Sequence, residues 1–291
     1  MTTAGRAGRG RADAWSPKAG SDHEPVSEIP TLVTTRSPLA PSSATDWLQE
    51  LAGDGITGFM PPPLTDAAWV LNAMYEHEQG PSDLSYDEYH RARVADGSVA
   101  PERVGDIDLT GVGIASGGEL GRAEHSGPGW RRLRWAELAR RTGDPLVPEG
   151  SLPSYRCFPS AKKDNSWQLG IRPPMEGSLD RETWDRLIEL LVRYSLAGAA
   201  TRCLGYYDPL MLGATDFDIL HVLAGRLGDA RILYDVPDAD FSPSNLWAED
   251  RSWVACTDYD LWATRVAGPT AFIEALLGDT DIEAVRLPWA P

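Results

Sequence analysis

Two neighbouring runs near the C-terminus, rich in β-branched and aromatic residues, constrain the fold more than any other feature of the chain. They are Ser252–Tyr259 (SWVACTDY) and Trp262–Ala267 (WATRVA), and neither contains glycine or proline. This composition favours β-strands. Two aspartates, Asp258 and Asp260, lie where the first run gives way to the second, and aspartate is common in turns. We therefore expect a strand pair joined by a short turn, as in an antiparallel sheet.

A short helix and a last strand are predicted directly after this pair. Gly268-Pro269 stops the second strand, and Thr270 can cap a helix over Ala271–Leu277. A final strand would contain Ile282, Val285 and Leu287. The resulting order, strand–strand–helix–strand, is typical of an α+β fold.

The most regular helical pattern lies further upstream. Residues Arg181–Tyr194 place apolar side chains on one broad face, and Ser178 or Asp180 can cap the helix. The other predicted helices are Thr45–Leu51, Ala67–Glu78, Ser85–Ala95, Trp130–Arg141 and Phe217–Leu227. The other predicted strands are Ile107–Ala115, Ser154–Phe158, Trp167–Ile171, Arg202–Tyr207 and Arg231–Val236.

The domain organisation follows from composition. Residues 1–44 are rich in glycine, serine, threonine, proline and arginine, with almost no apolar periodicity, and predict a disordered N-terminal tail. Residues 45–291 predict a single α+β domain, with a mainly antiparallel sheet and flanking helices. Residues 45–125 are the more helical portion and can be read as a helical subdomain.

The charge of the chain is strongly acidic. Its net charge is −16, and residues 205–260 account for half of this, with 11 acidic residues against 3 arginines. This charge argues against nonspecific binding to nucleic acid and against an anionic membrane surface. A focused acidic region can instead steer a basic protein partner.

Other sequence features point to the cytoplasm. No apolar run approaches the roughly 18 residues that a membrane-spanning helix needs, and the N-terminus lacks the apolar core of a signal peptide. Cys157, Cys203 and Cys256 are too few and too widely spaced for a disulfide framework or a zinc site. We expect buried free thiols in a reducing compartment.

The candidate site residues come from the acidic stretch. As an interaction surface for a basic partner, the sequence nominates Asp235, Asp238, Asp240, Trp247, Glu249, Asp250, Arg251, Asp258 and Asp260. In a second hypothesis the same aspartates line the concave pocket of an enzyme of unknown class and have shifted pKa values. A third hypothesis is a small-ligand sensor that uses the tryptophan-rich interior.

No cofactor, metal site or catalytic residue is predicted. Asp235, Asp238 and Asp240 superficially match a calcium loop, but the required glycine and bidentate glutamate are not at the right offsets. The chain also has no Gly-x-Ser-x-Gly element and no Gly-Lys-Ser/Thr phosphate loop.

One resemblance adds to this interpretation. The cadence Trp247-x-x-Asp250-Arg251-Ser252-Trp253, followed by Thr257-Asp258-x-Asp260, resembles the C-terminal part of a group of actinobacterial proteins with no settled activity. It covers roughly residues 205–289 and implies no catalytic residue. The expected acidic α+β architecture is also similar to that of immunity proteins of polymorphic toxin systems. That resemblance implies a cytoplasmic inhibitor of a basic toxin or enzyme.

Overall fold

The computed structural model describes residues 38–51, 59–60, 64–100, 103–104, 107–108, 121–122, 126–209, 221–236, 239 and 241–286. The α-helices in these residues are α1 (Asp46–Leu51), α2 (Tyr86–Ala95), α3 (Trp135–Thr142), α4 (Arg181–Tyr194) and α5 (Thr270–Leu277). The strands are β1 (Asp66–Leu71), β2 (Met74–His77), β3 (Arg103–Val104), β4 (Ile107–Asp108), β5 (Trp130–Leu133), β6 (Lys162–Lys163), β7 (Ser166–Trp167), β8 (Ile171–Arg172), β9 (Arg202–Tyr207), β10 (His221–Arg226), β11 (Asn245–Ala248), β12 (Val254–Thr257), β13 (Ala263–Gly268) and β14 (Ala284–Val285).

A seven-stranded sheet forms the centre of the fold. Its order is β10-β9-β11-β12-β13-β1-β14, and every neighbouring pair is antiparallel. The predicted α+β class with a mainly antiparallel sheet is confirmed. The predicted strands Arg202–Tyr207, Ser252–Tyr259 and Trp262–Ala267 correspond to β9, β12 and β13.

Both faces of this sheet are covered. Directly paired residues share a face, so Leu246, Ala255 and Val266 all pack toward α4 and α5. The next row, Trp247, Val254 and Ala267, packs on the opposite face. That face is covered by Ala40, Ala44, Trp47 and Phe59 from the N-terminal part of the chain. The central strands are therefore apolar on both sides.

A smaller antiparallel sheet, β5-β2-β8, carries a second core. Trp262 lies at its centre, with ring centroids 6.2 Å from Trp135 and 5.9 Å from Trp167. Asn72 fixes the junction where β1 continues into β2: its backbone N–H donates to the Trp262 carbonyl at 2.9 Å, and its side chain donates to the Met175 carbonyl at 2.7 Å.

Several local predictions were wrong because tertiary contacts decide the structure there. Ala67–Glu78 was predicted as a helix but forms β1 and β2. Since β1 is covered on both faces, its apolar residues run on without the alternation typical of a half-exposed strand. As a result, β1 places part of the predicted helical portion, 45–125, within the main sheet.

The predicted helix Trp130–Arg141 begins as strand β5. Residues Arg131 and Arg132 project to opposite sides of β5, and Arg131 contacts Glu76 of the paired strand. The helix starts only at Trp135, where the Glu283 carboxylate accepts hydrogen bonds from the backbone N–H groups of Trp135 and Ala136, both at 2.8 Å. This cap comes from almost 150 residues away, so a local pattern cannot reveal it.

The remaining corrections concern short segments. The described part of Phe217–Leu227 is strand β10, and Arg231–Val236 lies mostly in a 3-10 segment, Leu227–Asp235. Ser154–Phe158 forms turns, and the Trp167–Ile171 stretch is divided between β7 and β8. Thr270 is the first residue of α5, and Pro269 occupies the N-cap position.

Some predictions fall wholly or partly outside the described residues. These are residues 1–37 of the predicted tail, 109–115 of a predicted strand and Leu287 of the last strand. At the end of the predicted tail, Leu39 bridges Leu223 at the edge of the main sheet, and Ser42–Thr45 forms a 3-10 turn.

Side-chain caps begin two of the described helices, and of the two cap residues predicted for α4 the structure shows Asp180. The Asp180 carboxylate accepts from the Thr183 backbone N–H at 3.0 Å and from the Thr183 hydroxyl at 2.7 Å. Ser85 forms a capping box with Glu88, in which each side chain accepts the other's backbone N–H, at 3.2 and 3.0 Å. The two capped helices differ in burial: α4 has six buried residues, whereas α2 has none.

These two caps should therefore differ in their effect on stability. We expect Asp180→Ala to lower the free energy of unfolding by about 2 kcal/mol, because it removes a buried cap from the helix that covers the main sheet. Ser85→Ala is the control, with an expected loss of about 1 kcal/mol or less. Urea unfolding followed by tryptophan fluorescence measures both. Equal losses would mean that burial of the helix does not increase the contribution of its cap to stability.

Candidate ligand-binding cleft

The turn between β12 and β13 forms one wall of a surface cleft. The Asp258 carboxylate accepts the Asp260 backbone N–H at 2.9 Å, and the Leu261 N–H donates to the Asp258 carbonyl at 3.1 Å. Asp258 is buried, whereas Asp260 is exposed. The first aspartate therefore shapes the turn, and the second is accessible to solvent.

The cleft has a volume of about 400 Å³, which is within the range of small-molecule sites. The cleft is lined by the loop at 150–156, by Glu176, and by the two residues Asp260 and Leu261 in the turn that leads into β13. The lining residues are Gly150, Ser151, Leu152, Ser154, Tyr155, Arg156, Glu176, Asp260 and Leu261.

Contacts with the turn fix Glu176 in this cleft. Its carboxylate accepts the indole N–H of Trp262 at 3.1 Å. The next residue, Gly177, donates its N–H to the Leu261 carbonyl at 3.0 Å. Gly177 has φ of 76°, and a Cβ there would lie 2.9 Å from the Tyr259 Cα. Only glycine allows so close an approach in this backbone conformation, which brings Glu176 next to the turn.

The electrostatics of the cleft are acidic. Burial raises the pKa of the Glu176 carboxyl, the Trp262 hydrogen bond lowers it, and the charge of Asp260 raises it further. Asp260 also raises the pKa of Tyr259. Arg156 lines the same cleft, but its guanidinium lies over the Tyr155 ring, 5.6 Å from the centroid, and its Nε donates to the Tyr155 hydroxyl at 3.4 Å.

The carboxylates of Glu176 and Asp260 therefore line one cleft, close enough for the charge of Asp260 to raise the pKa of Glu176. Within the described part of the chain, no ion pair joins Glu176 or Asp260 to a lysine, arginine or histidine. Like charges in proximity raise the pKa of one member of the pair. A cation placed between them would remove that repulsion.

The other nominated site residues are divided among separate places. Glu249, Asp250 and Arg251 form the exposed hairpin between β11 and β12, at the opposite end of β12 from Asp258. Arg251 lies over the Trp47 ring, 5.4 Å from its centroid. These hairpin residues are thus remote from the cleft.

The remaining nominated interaction residues lie apart from both the cleft and this hairpin, or outside the described residues. Trp247 is buried in the main sheet, so neither it nor Asp258 is available at the surface. Asp235 is exposed and pairs with Arg181 at the start of α4. Asp238 and Asp240 lie outside the described residues. Of the nominated carboxylates that the structure describes, Asp260 is the one that lines the cleft.

Sequence reasoning missed Glu176, Tyr155 and Arg156. Glu176 stands in a loop, Pro-Pro-Met-Glu-Gly-Ser, with no motif around it. The Glu-Gly pair hints at a tight backbone, but the partner of Glu176 is 86 residues away at Trp262. Only the tertiary structure brings the two together.

The described residues contain no group of three histidine, cysteine, aspartate or glutamate side chains that could hold a metal ion. Among the helices that the structure describes, none is long and apolar enough to cross a membrane. No protein family matches the chain, and searches of curated proteins and of solved structures gave no significant match.

Proposed function

We propose that the protein binds a small organic cation in the cleft between Glu176 and Asp260. The observation that carries the proposal is a pair of carboxylates lining one cleft, one of them partly buried and neither paired with a basic residue in the described structure. Cation binding would replace their mutual repulsion with two attractions. This step is common to the enzyme and the ligand-sensor hypotheses.

The apolar lining suits the organic part of such a ligand. Leu152 and Leu261 lie on the cleft wall. Tyr155 lines the cleft with 57% of its surface exposed, and its ring already accommodates one cationic group, the Arg156 guanidinium. A cation near an aromatic face gains about 0.5–2 kcal/mol. The cleft thus combines two carboxylates with apolar and aromatic side chains.

Benzylammonium and benzyl alcohol form a matched pair of probes for this proposal. They have similar shapes, but only the first carries a positive charge. Binding is measured by isothermal titration calorimetry and by the fluorescence of Trp262 and its neighbours. We expect the wild-type protein to bind benzylammonium at least about tenfold more tightly than the alcohol.

Substitutions at the two carboxylates locate the binding site. Glu176→Gln and Asp260→Asn should each weaken benzylammonium binding by roughly tenfold. Glu249→Gln is the control, because it removes the same charge at the far hairpin and should leave binding unchanged. Equal affinity for the two probes, or an equal loss in all three variants, would refute the proposal.

The pH dependence provides a further check. Because the pKa of Glu176 is raised, its carboxyl keeps a proton at pH values where an ordinary glutamate has ionised. Benzylammonium stays charged in this range and binds the ionised form, so its affinity should rise as pH increases through the raised pKa and then level off. Glu176→Gln should abolish this rise. Asp260→Asn should move it to lower pH, since the charge of Asp260 raises the pKa of Glu176.

A second candidate function is binding of a basic protein in the cytoplasm. The net charge of −16 favours it, as do the exposed Glu249 and Asp250. The buried free thiols Cys157, Cys203 and Cys256 are consistent with a reducing compartment. A pull-down at low and then moderate salt tests this candidate. A basic partner that is lost with Glu249→Lys and Asp250→Lys would support it, and a partner that these changes leave bound would not.

A further inference from the structure

The ammonium group of Lys162 occupies a cage behind the cleft wall. It donates to the backbone carbonyl of Tyr155 and, at 3.0 Å, to that of Cys157. It also lies 5.0 Å from the ring centroid of Trp167 and 5.3 Å from that of Trp262. Two carbonyls and two aromatic faces thus surround one charged group.

This cage closes the loop that forms the cleft wall. Residues 154–158 have no regular structure, and the buried Phe158 has φ of 55°, a left-handed conformation that an aromatic residue rarely adopts. Such a conformation persists only when surrounding contacts hold it. Lys162 contacts the carbonyls of two residues that precede Phe158, and it also contacts Trp167, whose ring centroid lies 6.5 Å from that of Phe158.

Trp262 is part of the same cage and also contacts Glu176 in the cleft. Its backbone N–H donates to the Pro153 carbonyl at 2.9 Å, at the start of the wall loop. Its ring contacts the Lys162 ammonium, and its indole N–H donates to Glu176 at 3.1 Å. A continuous set of contacts therefore links Lys162 to Glu176 through Trp262.

We propose that Lys162 is a positioning residue for the cleft, whose charge holds the wall loop and Trp262 so that the indole donates to Glu176. This inference rests on the proposed cation-binding function and adds the element that shapes the site. The charge matters because a cation can donate hydrogen bonds to two carbonyls and be attracted to two aromatic faces at once. Burial lowers the pKa of Lys162, and the nearby Cys157 and Asp144 offset only part of this effect. This agrees with the partial burial of the side chain.

The test compares Lys162→Met, Lys162→Arg and Lys163→Met by nuclear magnetic resonance, without ligand. Two signals are followed: the indole N–H resonance of Trp262 and the titration of the Glu176 carboxyl. We expect Lys162→Met to shift the indole resonance and to raise the pKa of Glu176, because the hydrogen bond from Trp262 lowers that pKa. Lys162→Arg, which keeps the charge, should restore both signals in part.

Lys163→Met is the matched control. Lys163 is the exposed neighbour, and its ammonium pairs with Glu88 on α2. Its loss removes the same charge one residue away but leaves the cage intact, so both signals should stay as in the wild type. Unchanged signals in Lys162→Met, or equal changes in Lys163→Met, would overturn the inference.

A separate measurement keeps the two proposals distinguishable. Benzylammonium affinity should fall roughly tenfold in Lys162→Met and stay unchanged in Lys163→Met. If the wild-type protein fails to bind benzylammonium, the proposed function fails. The two resonance signals need no ligand, so they still decide whether Lys162 positions Trp262 and Glu176.

Discussion

Replacing Trp262 with alanine should lower the free energy of unfolding by about 4 kcal/mol, the largest loss that we expect from a single substitution. Trp262 is only 1% exposed and lies between the rings of Trp135 and Trp167. Its removal would leave a cavity where the second core meets the start of β13. Urea unfolding followed by circular dichroism measures the loss without depending on the deleted fluorophore.

Trp130→Ala is the matched control for this prediction. Trp130 is half-buried at the edge strand β5, where it contacts His77 and Arg172. We expect a loss of about 1 kcal/mol, because less apolar area is removed from contact. Similar losses in the two variants would mean that the second core can collapse around a missing ring, and that Trp262 is not its centre.

Trp262→Phe separates packing from the hydrogen bond to Glu176. Phenylalanine keeps most of the ring but has no N–H, so the main packing contacts remain while the donor to Glu176 is lost. Because that hydrogen bond lowers the pKa of Glu176, the variant should raise this pKa and move the pH-dependent rise in benzylammonium affinity to higher pH. The stability experiment and the binding experiment thus probe one side chain in two ways.

Local patterns predicted those elements whose structure is decided locally. The helix α4 was predicted with the same bounds, because a capping aspartate and a broad apolar face occur together in Asp180–Tyr194. The strands β12 and β13 were predicted because their residues are β-branched or aromatic and a turn separates them. In each case the residues that form the element also contain its signal.

Prediction was wrong where distant residues decide the outcome. The stretch that forms β1 is helix-like in sequence, but β13 and β14 pair with it and both faces are covered. The start of α3 depends on the Glu283 carboxylate, which is remote in sequence. Neither influence can be read from the segment itself.

The candidate cleft follows the same rule. Asp260 was nominated because it lies in an acidic turn that the sequence marks clearly. Glu176 was not, because its significance comes from Trp262, Leu261 and Asp260, which reach it only in the folded chain. The single acidic surface expected from composition is divided because the hairpin at Glu249 and the turn at Asp258 lie at opposite ends of β12.

A buried carboxylate joins the smaller sheet to α3. Glu76 on β2 has a side chain only 3% exposed, and it accepts hydrogen bonds from Arg131 and from Arg141. Glu137 on α3 accepts from Arg131 at 2.8 Å and also from Arg141. The side chains of the two arginines are 39% and 38% exposed. Glu76 is thus the one enclosed charge in a group of four.

Glu76→Gln should therefore lower the free energy of unfolding by about 2–3 kcal/mol. The amide keeps the shape but removes the charge that both arginines share, and breaking a buried pair from one side costs about 3–5 kcal/mol. The expected value is smaller because water can still reach the two arginines. Urea unfolding at low and high salt measures the loss.

Glu137→Gln removes a carboxylate from the same group at a more accessible position, with 25% of its side chain exposed. We expect a loss of about 1 kcal/mol or less, and one that shrinks with added salt because exposed charges are screened. The pKa of Glu137 is lowered, first by its hydrogen bond from Arg131. The contribution of Glu137 to the free energy of unfolding should therefore be complete above the ordinary glutamate pKa. It should be lost as pH falls through the lowered pKa of Glu137. A Glu76→Gln loss no larger than that of Glu137→Gln would mean that the arginines, and not the enclosed carboxylate, hold the smaller sheet and α3 together.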